Sequence, residues 1–174
     1  MTCEKINSDQ WRLRFGETEA VFVITVLARL GRHYHEDVGR MPPALRAYWQ
    51  GNATQEEISG HEDDMKESRE VLAEERAELR SERLALVEKW IGEYELAEER
   101  DPWEVEISDA ERDEFVAMLN DRRMLLALEL GITQEEMEAA PAEIPDEARR
   151  NAVLEIDFLG HFILVTLGPQ IYRP

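Results

Sequence analysis

The stretch SDAERDEFVAMLNDRRMLLALELG, residues 108–131, decides the fold, because it reads as a helix with a marked start, an apolar stripe and a marked stop. Ser108 followed by Glu111 is a capping box, in which each side chain satisfies the other's free backbone N–H. Asp109 and Glu111 also place negative charge at the positive end of the helix dipole. Phe115, Val116, Leu119, Leu126 and Leu130 recur at helical spacing, so one face is apolar and needs cover from other elements. Gly131 is the stop, since glycine enters the left-handed conformation without steric cost. Between two apolar runs sit four strongly polar residues, Asn120, Asp121, Arg122 and Arg123.

Outward from this helix, two segments alternate with the period of a half-buried strand: Trp11-Arg12-Leu13-Arg14-Phe15 and Trp103-Glu104-Val105-Glu106-Ile107. Their pairing puts the apolar residues on the core face and sets arginine against glutamate on the outer face. An isolated two-stranded ribbon is marginal, so it has to lie on helices. Setting Trp11 on Trp103 also aligns Glu19 with Glu111, Val23 with Phe115 and Leu27 with Leu119. A strand-helix unit used twice and a chance likeness of amphipathic segments both fit.

The expected fold is mainly α: a single-domain helical bundle over residues 1–174, with one long polar helix and a small two-stranded ribbon of residues 11–15 with 103–107. Residues 1–10 are expected to be mobile. The first long helix runs from about Glu17 to His35 and is apolar around most of its circumference, so it belongs in the middle of the core. Gly39 and Met41-Pro42-Pro43 break it. Thr54 with Glu57 opens or prepares a long, partly exposed helix over 55–101, with Gly60 as an interruption. Ile58, Met65, Leu72, Leu79 and Leu86 recur along it every seven residues, but the companion heptad position is polar. That is the mark of a helix touching the body along a narrow line rather than of a zipper, although it leaves a homodimer open. The end beyond Leu84 packs and the Glu62 to Arg83 end meets water or a partner. Thr133 with Glu136 caps a short helix, and Pro145 or Asp146 starts the last one, which Gly168 and Pro169 end. The closing turns, Phe158 to Val165, are apolar on nearly all sides and should lie buried beside the first helix, with Gly160 admitting another backbone.

Composition narrows function without naming it. A chain of 174 residues with a net charge of −19 and a pI near 4.6 is repelled by phosphate backbones and anionic membranes, so neither nucleic acid nor membrane is an expected partner. The longest apolar runs, 20–28 and 158–167, fall short of the roughly 20 residues that span a bilayer. One cysteine, Cys3, forms no intramolecular disulfide, and MTCEKINSDQ lacks the basic start and apolar run of a secretory signal; a cytoplasmic location is expected.

Three blocks carry a resemblance: Trp11 to Asp37; Trp103 through Ile107-Ser108-Asp109 and Leu119-Asn120-Asp121-Arg122-Arg123 to Gly131; and Asn151 to Gly168. Together they cover under half of the chain. They resemble an uncharacterised family of bacterial proteins, a domain of unknown function often encoded beside the Clp-protease adaptor and a JAMM-type metallo-isopeptidase. The resemblance brings no established activity, and its neighbours hint only at protein turnover or sulfur-carrier pathways.

Candidate chemistry rests on few residues. Asn120, Asp121, Arg122 and Arg123 form either a buried polar cluster, with Asp121 paired to an arginine and Asn120 bonded to backbone, or a carboxylate site using a guanidinium fork. Asp157 and His161 lie one turn apart and can touch, but the only cysteine is remote and no nucleophile accompanies them, so His161 reads as a satisfied core histidine. His33, His35, Glu36 and Asp37, and His61-Glu62-Asp63-Asp64, offer zinc-type ligands at the wrong spacing: on a helix His33 and His35 point about 200° apart. No catalytic residue, metal or cofactor is assigned. The preferred reading is a noncatalytic protein–protein interaction or adaptor module. The alternative is a small-molecule-binding protein or enzyme with an internal polar pocket around Asp157, His161 and the 120–123 quartet.

Overall fold

A computed structural model describes residues 1–50, 62–98 and 101–168, and over 62–70 the helix without its side chains. The Thr54–Glu57 capping box, Ile58, Gly60, the group from His61 to Asp64, Met65 and Pro169 lie outside the described residues or side chains.

The two alternating segments pair antiparallel as β2 (Gln10–Phe15) and β3 (Trp103–Ser108), with Trp11 opposite Ile107, Leu13 opposite Val105 and Phe15 opposite Trp103. All six of those side chains are buried. On the outer face Arg12 Nη2 reaches Glu106 Oε1 at 2.7 Å, and Arg14 lies 3.3 Å from Glu104. The ribbon nevertheless has three strands, not two. Thr2–Lys5 forms β1 along the other side of β2, so residues read as standing outside the fold supply an edge strand. A tight turn returns the chain, with Ile6 N–H donating to the Gln10 carbonyl at 2.9 Å and Asp9 N–H to Asn7 Oδ1 at 3.1 Å.

Each central strand runs directly into a helix: β2 into α1 (Glu17–His35) and β3 into α4 (Asp109–Leu130). The aligned glutamates do the same job at both junctions. Glu19 accepts from Gly16 N–H and Glu111 from Ser108 N–H, both at 2.9 Å. Between these units come α2 (Pro43–Gln50), which sequence reading passed over, and α3 (Glu62–Leu96), which stops short of the expected residue 101. After α4, whose end is Gly131 at φ 59°, follow α5 (Gln134–Glu138), capped by Thr133, and α6 (Glu147–Leu167), capped by Asp146. The chain is thus mostly helical, with a small antiparallel sheet.

The helices pack in the order α3, α1, α4, α6, while α2 bridges α3 and α4. Phe15 joins the sheet to this stack. Its ring lies 5.2 Å from Trp103, 6.4 Å from Phe115 of α4 and 6.3 Å from Phe162 of α6. Trp90 of α3 then closes on Phe115 at 4.9 Å. Burying each such ring contributes about 1.5–3 kcal/mol.

Two expectations about the terminal helices need correction. The closing turns of α6 pack chiefly on α4 and meet α1 at Phe22, whose ring lies 4.8 Å from Phe158 and 5.8 Å from Phe162. As the outermost helix of the stack α6 keeps an open side, so Leu154, Phe158 and Leu164 stay exposed. Gly160 admits a side chain rather than a backbone, since a methyl group there would meet Arg123 Cζ at 3.9 Å. The buried part of α3 also starts earlier than Leu84, at Arg80 and Arg83.

Candidate functional site

Asp121 is the polar centre of the molecule, and four helices meet on its carboxylate. It sits on the core-facing side of α4, 4% exposed. Tyr34, at the end of α1, donates its hydroxyl to Oδ2 at 2.7 Å, and Tyr48 of α2 donates to Oδ1 at 2.6 Å. From α3, Arg83 Nη1 reaches Oδ2 at 2.6 Å, while its Nε donates to Glu114 at 2.8 Å. A buried carboxylate is tolerated when it is paired and its lone pairs are taken, and here both conditions hold. Burial, and after it the neighbouring Asp121 charge, push both phenols well above the usual tyrosine range. The two tyrosines therefore act as proton-holding donors, not as bases.

Arginines one and two turns earlier on α3 extend this network. Arg80 Nη2 donates to the carbonyls of His33, Tyr34 and Glu36 at 2.6, 3.0 and 2.6 Å, closing the C-terminal end of α1. Its guanidinium lies over the Trp49 ring, 5.1 Å from the centroid. Arg76 donates to the Tyr48 carbonyl near the end of α2.

The polar quartet is split up by this packing. Asn120 is exposed and Asp121 is bound as above, by Arg83 rather than by its sequence neighbours. Arg122 is 4% exposed and turns to α6, where its Nε meets Glu155 at 2.7 Å; Glu155 also receives Arg29 of α1 at 2.9 Å. Arg123 lies over Gly160 with its Nε buried and unpartnered. Asp157 and His161 are both exposed on α6, so His161 is not a core histidine: the open side of the outermost helix carries it. Among the described residues no group of three or more His, Cys, Asp or Glu could hold a metal ion, and no helix is long and apolar enough to cross a membrane.

Three clefts accompany the hub. An apolar groove of about 480 Å³ runs between α1 and α3, lined by Ala28, Gly31, Leu84, Val87 and Ile91, with Arg32, His35, Glu36 and Glu88 around it. A polar cleft of about 310 Å³ is lined by Arg29, Arg32, His33, Glu36, Arg122 and Glu129. There His33 lies 3.2 Å from Glu129 and, by its hydrogen bond, lowers that carboxyl below the usual glutamate value. The third cleft, about 760 Å³, follows β3.

The sequence profile of a domain of unknown function, DUF2017, matches residues 1–163. The chain belongs to that family. No curated protein and no solved structure matches this DUF2017 chain significantly.

Sequence reading of this DUF2017 chain missed Tyr34, Tyr48, Arg76, Arg80 and Arg83. A signal was present for the arginines. Arg76, Arg80, Arg83, Val87 and Trp90 follow one another at intervals of four and three, which is one face of a helix. The seven-residue leucine series runs beside that face: Leu72 is exposed, while Leu79 and Leu86 are only half-buried.

Proposed function

We propose that the protein is a noncatalytic protein-docking module, which receives an amphipathic helix of a partner protein in the groove between α1 and α3. That groove carries the reading. It is lined mainly by aliphatic side chains beside the long helix and is rimmed by charges of both signs, the arrangement in which a helix lays its apolar face. The net charge of −19 favours a partner with basic flanks around its apolar stripe. A cytoplasmic setting and a place in protein turnover or sulfur-carrier pathways belong to the same proposal; the pathway rests on the resemblance alone.

The alternative, a small-molecule or enzyme pocket, draws its support from the polar cleft around Arg29, His33 and Arg122. Three observations weigh against it. Arg29 and Arg122 are already held by Glu155, the space around Asp121 is taken by Tyr34, Tyr48 and Arg83, and Asp157 with His161 lies on an exposed helix side.

The test is affinity purification from the native host at low and moderate salt, using the parent and an Ala28→Glu/Ile91→Glu variant. The parent should retain a partner through its apolar contacts, and the variant, folded by circular dichroism, should lose it. A folded variant that keeps the same partner overturns the groove as the docking face.

A further inference from the structure

The three-stranded sheet has two edge strands, and the acidic one is β3. In the order β1, β2, β3, the outer edge of β3 meets no further strand among the described residues. The phase of the ladder follows from bonds at its ends. Asp109 N–H donates to the Asp9 carbonyl at 3.1 Å, continuing the β2–β3 pairing by one residue. Bonded pairs alternate in an antiparallel ladder, so Ile107, Val105 and Trp103 exchange bonds with β2, and Glu104, Glu106 and Ser108 face away from it. Ser108 agrees, since its N–H goes to Glu111 at 2.9 Å. The hairpin agrees too. Ile6 N–H to the Gln10 carbonyl sets residues 10, 12 and 14 of β2 toward β1 and leaves 11, 13 and 15 for β3. The backbone N–H and C=O of Glu104 and Glu106 are thus turned to the free edge.

Room for a strand exists there. The cleft of about 760 Å³ beside β3 is bounded by Glu93 and Ala97 of α3, by Pro102, Trp103 and Val105, and on the outer face by Arg14, Glu104 and Glu106. Its acids outnumber its one base, and Arg14 is already engaged with Glu104 at 3.3 Å. The side of β3 that is occupied shows what its outer face takes. There β2 sets Arg12 and Arg14 opposite Glu106 and Glu104 and puts Trp11, Leu13 and Phe15 on the core face. A second copy of β3 in the open position would oppose glutamate to glutamate, which is destabilising.

We infer that β3 accepts an extended segment of a partner protein by strand addition, with basic residues alternating with apolar ones. Main-chain bonds to Glu104 and Glu106 provide the pairing, and the alternating basic residues set its direction and register. This site is separate from the α1–α3 groove, so either can fail without the other.

The test uses the full chain, ¹⁵N-labelled, and two synthetic peptides: one with the sequence of residues 10–15 and one in which both arginines of that peptide are glutamate. With the basic peptide, amide exchange at Glu104 and Glu106 should slow by at least about threefold, and added salt should reverse the effect. The acidic peptide should leave both amides unchanged, and a Glu104→Lys/Glu106→Lys chain should reverse the preference. Absence of protection by the basic peptide at millimolar concentration, equal protection by both peptides, or protection that rises with protein concentration alone and so marks a β3–β3 dimer, would each overturn the inference. The peptide comparison stands on the parent chain even if the double variant fails to fold.

Discussion

Arg80 Nη2 lies 2.6 Å from the His33 carbonyl, so one helix closes the end of another with a side chain from the middle of α3. The same nitrogen also reaches the Tyr34 and Glu36 carbonyls. Free carbonyls at a helix end need partners, and α1 takes them from the stretch of α3 before Leu84, which was expected to meet water or a partner protein.

Arg80→Met keeps the packing stem and removes the donors. It should cost about 1.5–3 kcal/mol in urea unfolding, the range for hydrogen bonds to charged groups. Native-state hydrogen exchange should show the last turn of α1, at Tyr34 and His35, fraying first. Arg80→Lys should recover only part of the loss, because an ammonium lacks the planar fork. A variant as stable as the parent would show that the capping bonds contribute nothing.

Two glycines should respond in opposite directions. Gly160 is helical with its nearest foreign atom 3.9 Å from a built-on methyl, so Gly160→Ala meets ordinary contact and gains about 0.5–1 kcal/mol of helix propensity. Gly131 holds φ 59°, and Gly131→Ala should lose about 1–2 kcal/mol there. Thermal unfolding of both variants checks the pair, and equal shifts of one sign would be wrong for this backbone.

At the junction of α5 and α6, Arg149 Nε donates to Glu136 at 2.6 Å and Nη2 to the Gly131 carbonyl at 2.7 Å. The Arg149 bond first, and then the Thr133 N–H, bring the Glu136 carboxyl down to about 2. A depressed folded pKa means a contribution that is whole above the unfolded value and fades as pH falls through the folded one. Carboxyl NMR titration should find Glu136 ionised down to that range in the parent. In Arg149→Ala it should return toward its ordinary 4.5, and the parent's stability advantage should disappear as pH drops from there toward 2.

The alternation of residues 11–15 and 103–107 was enough to read that the two strands pair and which side chains face the core, because period two admits one set of inward residues; their antiparallel register was not legible. The caps at Ser108, Thr133 and Asp146 and the stop at Gly131 were legible for a similar reason: each is a local bond or a local dihedral. Thr2–Lys5 was not, since TCEK has no apolar alternation and becomes a strand through its pairing with β2. The site was half legible. Asp121 stood out as one of four polar residues between two apolar runs, but its partner Arg83 lies 38 positions away, and arginine's long apolar stem lets a charged residue occupy a buried stripe that hydropathy assigns to water. Following the leucines of α3 instead of its arginines pointed to the neighbouring face.

Asp121 and Arg83, with Tyr34 and Tyr48, tie four helices together, and we propose that they are a structural pair that leaves docking to the outer grooves. The direct measurement is a urea double-mutant cycle with Asp121→Asn, Arg83→Met and both together. For a structural pair, Asp121→Asn alone should lose about 3 kcal/mol, the low end for a broken buried pair because Glu114 still holds the guanidinium. The double variant should lose less than the sum of the singles, with a coupling of about 2 kcal/mol. Single losses below about 1 kcal/mol with additive effects would contradict this proposal and return the hub to candidacy as a binding site.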